Sequence, residues 1–337
     1  MDKYKVLIVD DEPDNLALLY RTLRGKYDIA QSTSPLKALD MLKEEHFHCI
    51  LSDHKMPEMD GVEFLKRSCE ISPDTMRLLV TAYTDAGILI DAINYANIYR
   101  YIKKPYNPDE LLLIVQNAIE YWQLKSDNSN LVQDLKELFA GTVTAIVEAL
   151  DAKDSYTLGR SRRVTFYSVK IAKALHLSET TVGKVELAGL LHDIGMIGIS
   201  DDILSKVEKL TQEEYLEIQQ HVNHSVRILD DIKQLSDVVD IIRYHHEFYD
   251  GNGYPYGKKG DDIPIGARII SVADAFDSMV TPKVYRQQIL PSEALKKIKD
   301  EAGKQFDPVV VEAFETILPS AIRELKEMER KMHQQIQ

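Results

Sequence analysis

Several common features are scarce or missing in this chain of 337 residues. It has only two cysteines, Cys49 and Cys69, and neither stands in a metal-binding or redox motif, so thiol chemistry is not expected. No apolar run reaches the length of a membrane span, and the run Val6–Val9 is too short and too close to acidic residues for a signal peptide. We therefore expect a cytoplasmic protein without membrane insertion.

Basic residues are also in the minority, because 41 Lys and Arg stand against 54 Asp and Glu, and the net charge is −13. Contact with a nucleic-acid backbone needs a basic surface, so this balance argues against DNA as a partner. The sequence also contains no helix-turn-helix or basic recognition stretch, which makes a DNA-binding regulator a poor interpretation. The length instead indicates two domains with separate cores.

The first third of the chain alternates short apolar runs with amphipathic segments. The runs predict strands at Lys5–Val9, Cys49–Ser52, Leu78–Val80 and Tyr99–Ile102, and helices fit between them, for example at Asn15–Leu23 and Pro35–Glu44. This alternation predicts an α/β doubly wound parallel sheet with its polar residues at the carboxyl ends of the strands. Carboxylates that meet there form an oxygen-rich site suited to Mg²⁺.

These strand ends resemble those of a response-regulator receiver domain, and DHKMPEMDG from Asp53 to Gly61 is similar to its phosphoacceptor loop. The resemblance implies that Asp53 accepts a phosphoryl group from a sensor histidine kinase. It also implies a Mg²⁺ site and a set of switch residues, namely Asp10, Asp11 and Asp53 for the metal, and Thr81, Tyr101 and Lys104 for the switch.

A long helix is predicted to begin at Pro108 and to continue past this domain. Apolar residues then recur seven apart, which is typical of a short two-stranded coiled coil and predicts a homodimer: Leu124, Leu131, Leu138 and Ala145. Polar Asn128 and Thr142 weaken the repeat, so an amphipathic helix packed on its own domain is the alternative. A marginal dimer contact would suit a helix that carries a phosphorylation signal.

The second half is predicted to be mostly helical, and it contains a set of potential metal ligands. An adjacent His and Asp lie in an apolar segment, where a charge is costly unless a metal or another partner binds it. A further histidine, a histidine doublet and an aspartate within an apolar run follow. Six nitrogen and oxygen ligands fit two metal ions, an arrangement that suits phosphodiester cleavage: His192, Asp193, His221, His245, His246 and Asp274.

This set resembles the HD-GYP family of bacterial cyclic di-GMP phosphodiesterases from about Ala149 to Leu318. The match includes LHDIG at Leu191–Gly195, the stretch His245–Pro255 that ends in GYP, and later segments at Ile263–Pro264, Val272–Asp277 and Gln305–Pro308. The resemblance implies an all-α HD domain in which His192 and Asp193 are catalytic ligands and Asp193 bridges two metals. It favours iron or manganese, and zinc and nickel stay open.

The chain is accordingly divided into four segments. A receiver domain is expected at 1–122, a helical linker at 123–145, an HD-GYP domain at 146–320 and a polar C-terminal helix at 321–337. One helix is predicted to run from Gln212 to Leu229 within the third segment. His224, one turn after His221, is interpreted as a surface or supporting residue, and His54 as an ordinary one.

Three features depart from the family's pattern. Arg160 and Tyr156 stand where some members carry a histidine and a glutamate, so a third metal is not expected. Arg160 could disfavour the adjacent metal or instead supply a cation to the substrate. Met196 replaces a lysine that holds substrate phosphate, and methionine provides no charge. Lys283 and Arg286 are the expected substrate contacts, although Lys283 replaces an arginine and lacks its bidentate geometry.

The sequence therefore predicts a two-component response regulator whose output is metal-dependent hydrolysis of cyclic di-GMP or a related cyclic dinucleotide. Other cyclic di-GMP signalling proteins are further expected partners. The alternative is a catalytically weak or inactive module that binds metal or nucleotide and signals through protein contacts. The sequence leaves open the direction of control by phosphorylation, the metal in vivo and the product of hydrolysis.

Overall fold

The computed structural model describes residues 3–82, 97–153, 159–206, 208–281 and 288–335. The chain forms two compact units, Met1–Lys136 and Glu137–Gln337, which are described separately. Three residues singled out in the sequence, Tyr156, Lys283 and Arg286, lie outside the described residues. Within the described residues, no helix is both long enough and apolar enough to cross a bilayer.

The first unit is built on a five-stranded parallel sheet. Its strands lie in the order β2-β1-β3-β4-β5, with bounds β1 Lys5–Val9, β2 Asp28–Ser32, β3 Cys49–Asp53, β4 Met76–Thr81 and β5 Arg100–Lys103. The interior strand β1 is buried on both faces because helices cover each side of the sheet. The predicted doubly wound α/β fold is confirmed.

The helices of this unit lie on both faces of the sheet. They are α1 Pro13–Leu23, α2 Pro35–Glu44 and α3 Gly61–Ile71, followed by the start of α4 at Pro108. Alternate residues of β1 point to opposite layers. Val6 and Ile8 belong to a core that includes α1 and the start of α4, whereas Leu7 and Val9 belong to a core that includes α2 and α3. This arrangement leaves the carboxyl ends of the strands open for a site.

Helix α4 is continuous from Pro108 to Lys153. It therefore begins in the first unit and ends in the second. The leucines of the predicted seven-residue repeat are exposed, with relative accessibilities of 68% for Leu124, 57% for Leu131 and 68% for Leu138. Beyond them, Val143 is buried in the core of the second unit.

The second unit is helical. Its helices are α5 Arg160–Ala174, α6 Glu179–Leu191, α7 Asp201–Leu204, α8 Gln212–Gln219, α9 His221–Leu229, α10 Ser236–Arg243, α11 Ile265–Val280, α12 Pro291–Asp300 and α13 Pro308–Gln335. Helix α11 supplies ten buried residues and lies at the centre of the core. Phe276 on this helix packs edge-on against Phe314 of α13, with ring centroids 4.9 Å apart.

Two helices differ from the sequence prediction. The segment from Gln212 to Leu229 forms two helices rather than one, with Gln220 between them, and this places His221 at the start of a helix. The predicted C-terminal helix is the end of a longer helix that begins at Pro308. Its residue Ala321 is fully buried, so this helix completes the core before it becomes polar.

Candidate metal centre and phosphoacceptor site

Helix ends and one helix interior bring the six predicted ligands together in the second unit. His192 and Asp193 follow α6, where the chain turns into the short 3₁₀ helix Ile194–Gly198. His221 opens α9, the histidine doublet follows α10, and Asp274 lies inside α11. The six residues form two adjacent groups: a histidine cluster of His221, His245 and His246, and an aspartate cluster of His192, Asp193 and Asp274.

The imidazole rings are oriented by the backbone. Nδ1 of His192, His221 and His245 lies 2.8, 2.7 and 2.6 Å, respectively, from the carbonyl oxygen three residues earlier. A carbonyl oxygen only accepts, so Nδ1 donates the hydrogen and Nε2 keeps a lone pair in the neutral ring. All three Nε2 atoms are buried; those of His221 and His245 have no hydrogen-bond partner, and that of His192 faces the carboxylates of Asp193 and Asp274. Buried imidazole nitrogens that lie close together beside carboxylates fit metal ligation.

Asp193 lies between the two clusters. Its Oδ2 atom is 3.1 Å from Nε2 of His192, and its Oδ1 atom is 3.5 Å from Nε2 of His221. Asp274 closes the aspartate cluster, with Oδ1 at 3.6 Å from Nε2 of His192. A carboxylate with one oxygen toward each cluster is suited to bridge two cations.

Burial sets the protonation of the histidine cluster. It lowers the pKa of His221 and of His245, and it lowers the pKa of His246 to about 3. These imidazoles are therefore neutral at physiological pH, which is the form that binds a metal. Burial also lowers the pKa of His192, but the Asp193 carboxylate outweighs this effect, and that pKa rises to about 10.

Arg160 at the start of α5 reaches into the aspartate cluster. Its Nη2 atom lies 2.6 Å from Oδ1 of Asp274, and its Nε atom lies 3.4 Å from Oδ2 of Asp193. The Arg160 side chain is only 15% exposed. Burial lowers the pKa of the guanidinium, but the two carboxylates outweigh it and hold the pKa above its ordinary value. A permanent cation therefore lies among the predicted metal ligands.

Supporting contacts that the sequence pattern did not reveal hold this centre. The Ser225 hydroxyl donates to the carbonyl oxygen of His192 over 3.1 Å and accepts from the amide of Gly195 over 2.8 Å. A Cβ on Gly195 would lie 1.9 Å from the carbonyl oxygen of His221, so this approach requires glycine. Ser225 belongs to no recognisable sequence motif. The sequence indicates this contact only through Gly195, where the chain comes too close to His221 for a side chain.

The loop after the histidine doublet is tied to the centre. Glu247 is 2% exposed, and its Oε1 atom accepts from the amide of Tyr256 over 2.7 Å. Tyr254 stacks on His246 with ring centroids 4.8 Å apart. These contacts place the GYP segment beside the histidine cluster. Met196 lies in the 3₁₀ helix after Asp193, and His224 is in neither cluster.

A second polar site lies at the carboxyl ends of the strands in the first unit. Asp10 follows β1, Asp53 ends β3, and both are nearly buried. Lys104, after β5, forms ion pairs with Asp53 and, over 3.4 Å, with Asp10. The sheet therefore brings together three residues predicted from separate strands, and Asp11 follows directly on Asp10. Two acidic residues beside one lysine could hold a divalent cation and a phosphoryl group.

The predicted switch residues have different surroundings. Thr81 ends β4 and is 1% exposed, whereas Tyr101 in β5 is 43% exposed. The Thr81 hydroxyl lies 3.0 Å from Nδ1 of His54, the residue after the predicted phosphoacceptor Asp53. The sequence pattern gave His54 no role because the pairing of β3 with β4, not a motif, brings it to Thr81.

Comparisons with known proteins account for both units. The response regulator receiver domain matches residues 6–116, and the HD domain matches residues 145–310. A cyclic di-GMP phosphodiesterase of Thermotoga maritima is 33% identical over 333 residues, which cover 92% of this chain and 89% of that protein. The cyclic di-GMP phosphodiesterase response regulator RpfG of Xanthomonas campestris pv. campestris is 30% identical over 326 residues, which cover 91% of this chain and 86% of that protein.

A relative with another substrate in its name matches about half of the chain. The 3'3'-cGAMP-specific phosphodiesterase 3 of Vibrio cholerae is 37% identical over 166 residues, which cover 49% of this chain and 36% of that protein. The relatives of this chain thus include phosphodiesterases that are named for different cyclic dinucleotides.

Proposed function

Because the chain belongs to the response regulators that join a receiver domain to an HD domain, we propose that phosphorylation controls its hydrolysis of a cyclic dinucleotide. Cyclic di-GMP is the proposed substrate, since relatives that align along both units carry it in their names. A related cyclic dinucleotide is the second choice because of the cGAMP-specific relative.

The observation that carries this proposal is the buried pair of clusters, in which the Nε2 atoms of His221 and His245 have no hydrogen-bond partner. We assign the histidine cluster and Asp193 to one metal, and His192, Asp193 and Asp274 to a second. Iron or manganese is favoured over zinc or nickel. Metals bound here would supply the Lewis acidity and the nucleophilic water that phosphodiester hydrolysis needs. The protein's part is to fix the imidazoles through their Nδ1 hydrogen bonds and to bury them away from bulk solvent.

Control is proposed to begin at Asp53. A Mg²⁺ ion held by Asp10, Asp11 and Asp53 would allow a sensor histidine kinase to phosphorylate Asp53. Lys104 already pairs with this carboxylate and would pair with the phosphoryl oxygens instead. Thr81 and Tyr101 would then respond as the switch pair. The sensor histidine kinase and the cyclic dinucleotide are the two proposed partners. Because both the kinase domain and the dinucleotide are expected in the cytoplasm, the regulator is proposed to act there.

Helix α4 is the proposed connection between the two domains, because it is continuous from Pro108 to Lys153. Its exposed leucines suit a two-stranded coiled-coil homodimer, as the seven-residue spacing predicts. The proposed domain limits remain 1–122 for the receiver domain, 123–145 for the linker, 146–320 for the HD-GYP domain and 321–337 for the polar C-terminal segment.

One observation favours a second candidate function. Arg160 forms ion pairs with both carboxylates of the aspartate cluster, and Met196 offers no charge to a substrate phosphate. A module that binds metal or nucleotide without turnover, and acts on other cyclic di-GMP signalling proteins, would tolerate both residues. Lys283 and Arg286 are the proposed substrate contacts in either case.

Parallel assays of cyclic di-GMP and 3'3'-cGAMP test the proposed function. The Mn²⁺-loaded protein should convert cyclic di-GMP to a linear dinucleotide or to GMP, and the matched variant Asp193→Asn should not. Turnover of 3'3'-cGAMP but not of cyclic di-GMP would show that the related dinucleotide is the substrate. Tight binding of cyclic di-GMP with no product from either substrate would favour the non-hydrolytic module.

A further inference from the structure

Arg160 occupies a position in the aspartate cluster where a metal would compete with it. Its guanidinium contacts Oδ1 of Asp274 and lies close to Oδ2 of Asp193. We propose that the positive charge of Arg160 weakens metal binding in the aspartate cluster. The first metal therefore binds in the histidine cluster, and the second metal binds in the aspartate cluster far more weakly. This inference rests on the proposed metal-dependent function and specifies how its site is filled.

The charges of the two clusters explain why they differ. The histidine cluster contains no cation, and its Nε2 atoms on His221 and His245 have no hydrogen-bond partner. A divalent ion there meets the imidazole nitrogens of the histidine cluster and Oδ1 of Asp193. In the aspartate cluster, the two negative charges of Asp193 and Asp274 already face the positive charge of Arg160. A second divalent ion would be repelled both by Arg160 and by the first metal.

A metal in the aspartate cluster must also break a short contact. Oδ1 of Asp274 is the oxygen through which this residue faces His192 Nε2, at 3.6 Å, and the same atom accepts from Arg160 at 2.6 Å. Ligation through this oxygen therefore displaces the guanidinium or moves the carboxylate. Breaking this ion pair costs much free energy because the side chains of Arg160 and Asp274 are at least 85% buried. Water can therefore replace few of the interactions that they lose.

A neighbouring ion pair holds Arg160 in place. Arg163, one turn later on α5, pairs with Asp277, one turn later on α11, through Nε–Oδ1 at 2.7 Å and Nη2–Oδ2 at 3.1 Å. Two arginines three residues apart therefore face two aspartates three residues apart, which fixes α5 against α11. Because Asp277 is 1% exposed, this second pair is a rigid anchor rather than a surface contact. Arg160 is thus positioned by the packing of two helices.

Mn²⁺ binding to the full-length protein tests the inference without an activity assay. Equilibrium dialysis should show one tightly bound Mn²⁺ per chain and a second bound at least about tenfold more weakly. Electron paramagnetic resonance at one equivalent should show isolated ions. Arg160→Gln should bring the two affinities together and give a spin-coupled pair at two equivalents, whereas Arg160→Lys should keep them apart.

Arg162→Gln is the matched control because Arg162 lies on the same helix but is exposed and pairs with Glu148. It should behave like the wild type. Arg160→Gln leaves two carboxylates without their cation, so its metal-free melting temperature should fall and Mn²⁺ should raise it more than in the wild type. If that variant does not fold, the wild-type titration alone decides.

Two equally tight Mn²⁺ ions in the wild type, or an unchanged affinity ratio in folded Arg160→Gln, would overturn the inference and leave the proposed function intact. A wild-type protein that binds no Mn²⁺ would overturn both.

Discussion

Oδ1 of Asp193 lies 3.5 Å from Nε2 of His221, although the two residues lie in different parts of the fold: Asp193 follows α6, and His221 begins α9. Gly195 allows this approach, because any side chain there would collide with the backbone carbonyl of His221. Ser225 then fixes the two segments with one hydroxyl that binds both the His192 carbonyl oxygen and the Gly195 amide. The positions of the metal ligands therefore depend on an uncharged contact between two backbone segments.

The first prediction concerns the histidine cluster. His221→Ala removes a buried Nε2 atom, and we expect metal affinity to fall by at least about a hundredfold, since changes outside the ligand set already cost ten- to a hundredfold. His224→Ala, one turn later and in neither cluster, should retain the metal. Metal analysis of both purified variants checks this. Equal losses in both would mean that folding, not ligation, is affected.

The second prediction concerns the phosphate contacts. Met196→Lys restores a cation beside Asp193, and we expect kcat/KM to rise about tenfold to a hundredfold, from a charge-assisted hydrogen bond of about 1.5–3 kcal/mol. Ile197→Lys, which adds the same charge at an exposed position of the same turn, should have little effect. Steady-state kinetics with cyclic di-GMP measure kcat/KM for the wild type and for both variants. An equal gain in both variants would indicate a general charge effect.

The third prediction concerns the inactive alternative. If Arg160 and Met196 silence catalysis, the double variant Arg160→His with Met196→Lys should turn over cyclic di-GMP where the wild type does not. The same variant with Asp193→Asn should be silent again. A double variant that folds, binds metal and stays silent would remove these two residues as the explanation.

The fourth prediction concerns His54. Where Nδ1 of His54 accepts the Thr81 hydroxyl hydrogen, that hydroxyl cannot donate to the phosphoryl oxygens until this contact is broken. Losing one neutral hydrogen bond costs about 0.5–1.5 kcal/mol, so His54→Ala should tighten the binding of beryllofluoride to Asp53 by about threefold to tenfold. Fluorescence titration measures the affinity, and Asp53→Asn is the blank. Weaker binding in His54→Ala would show that the contact supports the active state.

The fifth prediction concerns the dimer. Leu131→Asp with Leu138→Asp puts two charges into the exposed stripe of α4 and should yield monomers in analytical ultracentrifugation. Lys136→Asp changes the charge of the same helix outside the repeat and should leave the dimer intact. A wild-type protein that sediments as a monomer would contradict the coiled-coil assignment.

The sequence was sufficient for the fold class and for the choice of six candidate ligands, but not for their surroundings. Continuous apolar runs predict buried parallel strands, and histidines in apolar segments point to ligation, because both signals are local. The partners of Arg160 depend on how α5 packs against α11, and the contact of His54 depends on the pairing of β3 with β4. The division of the Gln212–Leu229 helix at Gln220 was missed as well, since no glycine or proline marks it.

The most direct test of the account is to measure metal content and cyclic di-GMP hydrolysis on the same anaerobically purified sample. The protein would be reconstituted separately with Fe²⁺ and with Mn²⁺, and Asp193→Ala would serve as the blank. The account predicts at least one tightly bound metal per chain and product formation that the variant lacks. A well-folded wild-type protein with neither bound metal nor product would contradict it.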